Sequence, residues 1–329
     1  MKYRKVGRTD VEISAIAMGC WSIVGDQTWG PQDEQDAIAA IESSIDAGVT
    51  LFDTAPAYGN GYSEELVGRV LRPHRNEVVI ATKLSGGEMR RENAIKACEA
   101  SLRRLGTDCI DIYQIHWPDH DVPFEETASA LQTLLDQGKI RVAGVSNFGP
   151  RDLADFLGIL RPEVNQVAYS LLFRAPEFEA LPICVENGVS VLCYSPLAEA
   201  MLTGKFKTAD DVPAGRARTR LFSKDREQSR HSEEGAEKEA FEAVDRIRKI
   251  ASRLGMPMAH LALAWLLHRD GVGAVLAGAR NAKQARENAA AAEVELPDDV
   301  VGELADVTDE VKQKLGPNMD IWQTESRAR

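Results

Sequence analysis

Five times along this chain an amphipathic segment ends at a glycine, and a short apolar, β-branched run follows within one to four residues. The stretches are SSIDAGVTLFDT, SLRRLGTDCIDIYQIH, LLDQGKIRVAGVSN, CVENGVSVLCYSP and LLHRDGVGAVLAGA. A helix closed by a glycine in the left-handed conformation, here Gly48, Gly106, Gly138, Gly188 and Gly271, can turn directly into a buried strand. Five such joints predict repeated αβ units rather than hairpins or a helical bundle.

The runs at 13–19, 77–83 and 164–170 raise the number of expected strands to eight, each near-continuously apolar, as parallel strands covered on both faces should be. Eight strands alternating with about eight helices predict a single (β/α)8 (TIM) barrel domain over residues 1–329. The opening YRKVGRTDVEIS carries a turn-forming Gly-Arg-Thr-Asp between two extended runs and is expected to form a hairpin capping one barrel end. A doubly wound sheet fits less well, because the nearest approach to its glycine-rich turn, GNGYSE, has Glu64 where the third glycine should fall. The polar excursion 203–240 is expected to be a mobile lid, and the tail after Pro297 carries one helical run before a segment able to fold over the barrel mouth.

The formal net charge is −12, which repels phosphate backbones and anionic lipid, so nucleic acid and membrane surfaces are poor partners and a small molecule is the expected one. Five cysteines without Cys-x-x-Cys spacing suggest neither a disulfide framework nor a zinc site. With no apolar N-terminal run, a cytoplasmic enzyme is the expectation.

In such a barrel the reactive groups project from the C-terminal ends of the strands. Read that way, the second strand ends at Asp53, the third at Lys83, the fourth at His116, the fifth at Ser146 and Asn147, the sixth at Gln166, and the seventh at Tyr194 and Ser195. Titratable groups therefore gather on three consecutive strands. His116 and His120 in HWPDH are not read as a metal pair, because Pro118 forbids the helix that would put both on one face. Trp21, Trp29 and Trp117 fall just after the first and fourth strands, where large aromatics would wall a substrate pocket.

These motifs resemble the aldo-keto reductase superfamily over nearly the whole chain. LFDTAPAYGNGYSEELVG is similar to the family's Asp-to-Tyr segment, VVIATKL to its lysine strand and IDIYQIHWPD to its histidine strand. GVSNF, NQVAYSLL, YSPLAEAMLTGKF and AGARNAKQARENAAA are similar to its cofactor-binding segments. The resemblance implies a catalytic tetrad of Asp53, Tyr58, Lys83 and His116 and an NADPH-type cofactor across the barrel mouth. Ser146, Asn147 and Gln166 would meet the nicotinamide carboxamide and Tyr194 its ring. Ser195, Pro196, Leu197, Gly204 and Lys205 would border the pyrophosphate. Arg280, after Gly278, would take the adenosine 2'-phosphate, with Gln284, Glu287 and Asn288 near the adenine.

The implied activity is hydride transfer between NADPH and the carbonyl of a small aldehyde or ketone, sugar-derived ones included. The alternative is a non-catalytic NADPH-binding redox sensor like the potassium-channel β subunits, which resemble the same superfamily. The tetrad also makes chemical sense on its own. Carbonyl reduction builds negative charge on oxygen, so an acid must donate a proton there. A free phenol titrates near about 10, and Lys83 beside Tyr58 is expected to lower that value, with Asp53 keeping the lysine charged. His116 would hydrogen-bond the substrate oxygen.

Overall fold

In the computed structural model, which describes residues 1–329, all five joint glycines take the left-handed backbone: φ is 82° at Gly48, 63° at Gly106, 68° at Gly138, 64° at Gly188 and 80° at Gly271. Glycine tolerates that geometry without strain, so each helix stops and the chain turns into the next strand. The chain opens with the hairpin, β1 (Tyr3–Lys5) pairing antiparallel with β2 (Glu12–Ser14). Eight parallel strands then close into a barrel. They are β3 (Ile16–Gly19), β4 (Leu51–Asp53), β5 (Val79–Leu84), β6 (Ile110–Ile115), β7 (Ile140–Ser146), β8 (Val164–Ala168), β9 (Ser190–Tyr194) and β10 (Val272–Gly278).

Helices α1 (Glu34–Asp46), α2 (Tyr62–Leu71), α3 (Arg91–Leu105), α4 (Phe124–Asp136), α5 (Pro150–Leu157) and α6 (Ala180–Asn187) alternate with the strands. Both α7 (Glu237–Leu254) and α8 (Met258–Leu267) precede β10, and α9 (Ala282–Ala290), α10 (Asp298–Asp306) and α11 (Asp309–Leu315) follow it. No single helix is long and apolar enough to cross a membrane.

Three local expectations are revised. The apolar run 13–19 is split between two sheets: the Ser14 hydroxyl donates to the Ile16 carbonyl (2.6 Å) and accepts the Thr50 amide (2.9 Å), ending the hairpin and starting the barrel. The tail run after Pro297 forms two helices rather than one. Buried Arg174 takes the Ala305 carbonyl (2.7 Å) and Thr308 Oγ1 (3.1 Å), and the Thr308 hydroxyl donates to Leu304 O (2.9 Å), which competes with helix propagation. Within 203–240 the last four positions belong to α7. The irregular part buries Phe206, Val212, Leu221 and Phe222, and Arg220 ties it to the tail through the carbonyls of Leu315 (2.7 Å) and Asn318 (3.0 Å).

The lower barrel is plugged by Leu51, Val79, Ala81, Ile112, Val142, Val164 and Leu192, together with Val6 and Val11 of the hairpin. The hairpin thus seals the N-terminal end of the barrel, leaving the opposite end as the open one.

Candidate active site

Side chains on a strand alternate between faces, so the residue two positions beyond each interior plug residue also points inward, one layer nearer the open end. Counting from Leu51, Ala81, Ile112, Val164 and Leu192 gives Asp53, Lys83, Gln114, Gln166 and Tyr194. The same strands therefore supply an apolar floor and a polar layer above it. Gly144 makes room for that layer: a Cβ there would stand 2.3 Å from Val164 Cγ2 and 3.0 Å from Gln114 Cγ. Gln166 is inside its strand rather than at its end, and Gln114, absent from the expected site, follows from the same count of two.

Lys83 lies at the centre, buried, with its ammonium donating to Asp53 Oδ1 (2.6 Å), the Thr54 carbonyl (2.9 Å) and the Tyr58 hydroxyl oxygen (3.3 Å). Asp53 Oδ2 accepts from Gln166 Nε2 (2.7 Å) and Gln114 Nε2 (3.3 Å), so both carboxylate oxygens are held. Tyr58 reaches this group from a loop whose Gly59, Asn60 and Gly61 have φ of 61°, 52° and 92°, a tight reversal that sends the chain into α2. Because Lys83 occupies an acceptor position on the Tyr58 oxygen and no other protein group bonds it, the phenolic O–H is free to point into the cavity. The His116 ring lies across the Tyr58 ring at 6.2 Å, and its main chain is fixed by Leu84 O (3.0 Å) and Asn147 Nδ2 (2.9 Å).

The electrostatics depart from the expectation at one point. Burial pushes the Tyr58 phenol above its usual value, and the opposing pull of Lys83 does not overcome it. Tyr58 is consequently a protonated acid at neutral pH rather than a group poised toward phenolate. Burial works against the Lys83 ammonium, but the neighbouring Asp53 and Tyr58 more than offset this and raise its pKa. Burial, then the charges of Lys83 and Arg327, drive His116 down to about 3, so the ring is neutral in any ordinary buffer and has one N–H to donate.

A pH prediction follows. If the Tyr58 phenol donates the proton in a carbonyl reduction, the rate should be flat from about pH 5.5 to 9, because neither group titrates there, and should fall only as rising pH ionises the phenol above its usual value of about 10. Alcohol oxidation, which needs the phenolate, should rise with pH. A step near about 6.5 in the kcat profile for reduction would contradict the neutral His116.

Above the tetrad is a cavity of about 840 Å³. Trp21 stacks on Tyr58 (6.0 Å, 18°), and Trp29 meets Trp21 edge-on at 5.5 Å, so these two of the three expected tryptophans wall the cavity together. Trp117 also lines it, with Arg327 3.5 Å above its ring. Asn147 bonds to more of the protein than expected: its amide donates to His116 O and Ser146 Oγ, and its oxygen accepts from the Tyr194 hydroxyl (2.9 Å). The Ser146 hydroxyl donates to Gln166 O (2.9 Å). These residues first position one another, and the Gln166 side-chain oxygen remains the open acceptor among them.

Ser195, Ala198, Glu199 and Ala200 all have positive φ (48°, 46°, 53° and 73°), a rare concentration of strain in non-glycine residues of the kind that gathers at binding sites. Pro196, Leu197 and Lys205 line the cavity on this side, with Gly204 at φ 78° turning the chain toward Lys205. Gly278, Gln284, Glu287 and Asn288 line its far end. Arg280 donates to Trp29 O and Gln32 Oε1 (2.7 Å each) and to Pro31 O. All three acceptors are neutral, so the guanidinium charge stays uncompensated and N–H donors are left over.

Several lining residues carried no sequence signal: Glu199, Arg216, Arg218, Arg230, Trp322 and Arg327. Three of the four arginines come from the irregular 204–236 segment, where no period assigns a side chain to a face. The whole lining tests whether a dinucleotide phosphate would fit. Lys205, Arg216 and Arg280 face one another closely enough to repel, and Arg216 Nε is buried without a hydrogen-bond partner. Uncompensated cations held together in this way suit a polyanion such as NADPH.

Comparison with known proteins agrees with this geometry. Residues 15–309 match the Aldo/keto reductase family. Aldo-keto reductase YhdN of Bacillus subtilis (strain 168) is 37% identical over 300 residues, covering 86% of each chain. The NADH-specific methylglyoxal reductase of Escherichia coli (strain K12) is 33% identical, covering 91% of this chain and 95% of that one. The structure of an aldo-keto reductase from Klebsiella pneumoniae in complex with NADPH superposes with a TM-score of 0.74 at 29% identity, covering 94% of this chain and 96% of that chain.

Proposed function

The chain belongs to the aldo/keto reductase family, is thereby an NADP(H)-dependent oxidoreductase acting on a small aldehyde or ketone, and we propose that Tyr58 is its proton donor, held in register by Asp53, Lys83 and His116. The observation that carries the assignment is the Lys83 ammonium bridging Asp53 and the Tyr58 oxygen at the floor of the cavity. When bound, NADPH supplies the hydride that reaches the carbonyl carbon. Tyr58, protonated at rest, gives its proton to the carbonyl oxygen, and the adjacent ammonium then stabilises the phenolate left behind. A unit charge at about 4 Å is worth roughly 4 kcal/mol at an effective dielectric of about 20, which reduces the cost of ionising a buried phenol. The neutral His116 ring donates to the same carbonyl oxygen and sets its angle.

On this reading the cavity lining from Gln166 and Tyr194 to Arg280 would hold the cofactor. Ser146 and Asn147 steady the nicotinamide end, with Gln166 accepting from the carboxamide and Tyr194 offering its ring face. Ser195, Pro196, Leu197, Gly204 and Lys205 border the pyrophosphate. Gly278, Gln284, Glu287 and Asn288 surround the adenine, and Trp21, Trp29 and Trp117 face the substrate. We assign the protein to the cytoplasm, in keeping with five cysteines that all stand free. A panel of aldehydes, ketones and aldoses followed by NADPH absorbance tests the activity; no turnover of any of them would overturn it.

Arg280→Ala should weaken NADPH binding about 10- to 100-fold relative to NADH, the loss of one to two charge-assisted hydrogen bonds to phosphate. Because Arg280 also anchors the 29–32 loop, both cofactors could lose some affinity, so the ratio of the two dissociation constants from fluorescence titration is the reading that decides. An unchanged ratio removes Arg280 from the 2'-phosphate.

A further inference from the structure

The unpaired cations around the cavity fall into two groups. Lys205, Arg216 and Arg280 act on one another; Glu199 attracts both Arg216 and Arg218, and Arg218 is further coupled to Arg230 and Asp26. The first group matches the phosphates of the cofactor, leaving the second without an assigned ligand.

Arg218 lies on the substrate side. Its guanidinium carbon sits 5.8 Å from the Trp21 ring and 5.1 Å from the Trp322 ring, and Trp21 in turn stacks on Tyr58. One indole therefore separates this cation from the phenol proposed to protonate the carbonyl. Its hydrogen bond to Thr28 Oγ1 is 3.1 Å, its Nε is buried with no partner, and no carboxylate comes within the 4.0 Å of an ion pair.

Two acids lie near it, and neither forms an ion pair with it. Asp26 is instead held in place by Trp21 Nε1 (2.8 Å) and the amides of Thr28 (2.8 Å) and Trp29 (3.0 Å), so it acts on Arg218 only from beyond contact. Glu199 is buried, with one oxygen bonded to the Ser195 hydroxyl (2.9 Å) and the other unpartnered, and burial raises its pKa against the opposing pull of Arg218 and Arg216. Arg327, the cation on the opposite wall, is by contrast closed off by two bonds to Asp320 (2.7 and 3.0 Å). Arg230 adds a second uncompensated charge beside Arg218.

We propose that Arg218, packed against Trp21 and Trp322 at the cavity wall, is the specificity determinant of this reductase and selects carbonyl substrates that carry an anionic group, a carboxylate or a phosphate, a few bonds from the reacting carbon. Packed beside two indole rings and bonded only to Thr28, the guanidinium keeps N–H donors free, and their fork geometry receives a planar or tetrahedral oxyanion through paired hydrogen bonds. The low-dielectric wall strengthens that contact relative to water. Trp21 and Trp29 meanwhile accept the apolar carbons between anion and carbonyl.

This inference rests on the reductase reading, and its test separates the two. With NADPH-loaded enzyme, kcat/KM for succinic semialdehyde should exceed that for butanal, and kcat/KM for glyceraldehyde phosphate should exceed that for glyceraldehyde; whichever ratio is larger identifies carboxylate or phosphate as the preferred anion. Arg218→Ala should reduce the larger ratio about 10- to 100-fold, mainly through KM, and Arg218→Lys should restore part of it. Quenching of tryptophan fluorescence by γ-hydroxybutyrate in the presence of NADP+ should show the same loss in Arg218→Ala without any turnover. Absence of turnover with every carbonyl would overturn the reductase reading alone, provided γ-hydroxybutyrate binding still depends on Arg218. The proposal is overturned if wild-type enzyme favours neither anion over its neutral counterpart, if γ-hydroxybutyrate binds wild type and Arg218→Ala alike, or if Arg218→Ala weakens NADPH as much as the anion.

Discussion

Replacing Tyr58 with Phe is expected to lower kcat by between about a hundredfold and ten-thousandfold, the range a positioned general acid contributes. The substitution removes one oxygen and leaves the ring, so the stack on Trp21 (6.0 Å) and the edge contact with His116 (6.2 Å) persist. The dissociation constant of NADPH should therefore stay within about twofold, and the enzyme should remain folded. Lys83 loses its longest contact, at 3.3 Å, and keeps Asp53 and the Thr54 carbonyl, so the buried charge is still compensated. Steady-state rates with the best aldehyde of the panel, alongside a fluorescence titration of NADPH, separate loss of chemistry from loss of binding. Retention of most of the wild-type rate would remove the phenol from the reaction.

Asp53→Ala is expected to be costly in a different quantity. Asp53 is 3% exposed and Lys83 1%, and the carboxylate also takes the side-chain amides of Gln114 and Gln166. Removing one partner of a buried ion pair leaves the other charge uncompensated, typically a loss of about 3 to 5 kcal/mol. An unfolding entropy of about 2 cal/mol/K per residue converts this to a fall in Tm of roughly 4 to 7 °C for a chain of this length.

The pH signature should change with it. In the wild type the raised Lys83 pKa contributes stability that is present below about pH 10.4, the unfolded value, and is lost only as pH rises through the higher folded value. Without Asp53 the ammonium is driven to give up its proton, so that contribution shrinks or changes sign, and the phenolate of Tyr58 loses its cation. Calorimetry at neutral and alkaline pH checks both parts. A loss below about 1 kcal/mol would mean that Lys83 finds water or another partner, contrary to its burial.

Much of this was legible in the residues, for identifiable reasons. The barrel could be counted because glycine at a left-handed helix end is a local requirement, and all five expected joints meet it. Asp53, Lys83 and His116 could be listed because polar groups that end buried strands are conspicuous, whereas Tyr58 lies in a loop and was implied only by the family resemblance. Gln114 was missed although the information was present: it is two residues past Ile112 and must share its face. The ionisation of Tyr58 was misjudged for a deeper reason. A nearby lysine is foreseeable from motif spacing, but the competing effect of burial depends on how fully the loop and Trp21 cover the phenol, which is a property of packing.

The arginines mark the boundary most clearly. Arg280 stands at a strand end beside a helix start, where local rules apply, and it was found. Arg216, Arg218 and Arg230 lie in a segment with neither helical nor strand period, so their direction is set by what the segment packs against, including Arg220 on the tail carbonyls and Arg218 against Trp21 and Trp322. Sequence alone determined the elements, their order and the polar layer at the barrel mouth, because periodicity and glycine geometry act over a few residues. Which charges are compensated, which side of Tyr58's titration is occupied and which cation faces the substrate were decided only by the tertiary structure, because each depends on contacts between residues tens to hundreds of positions apart.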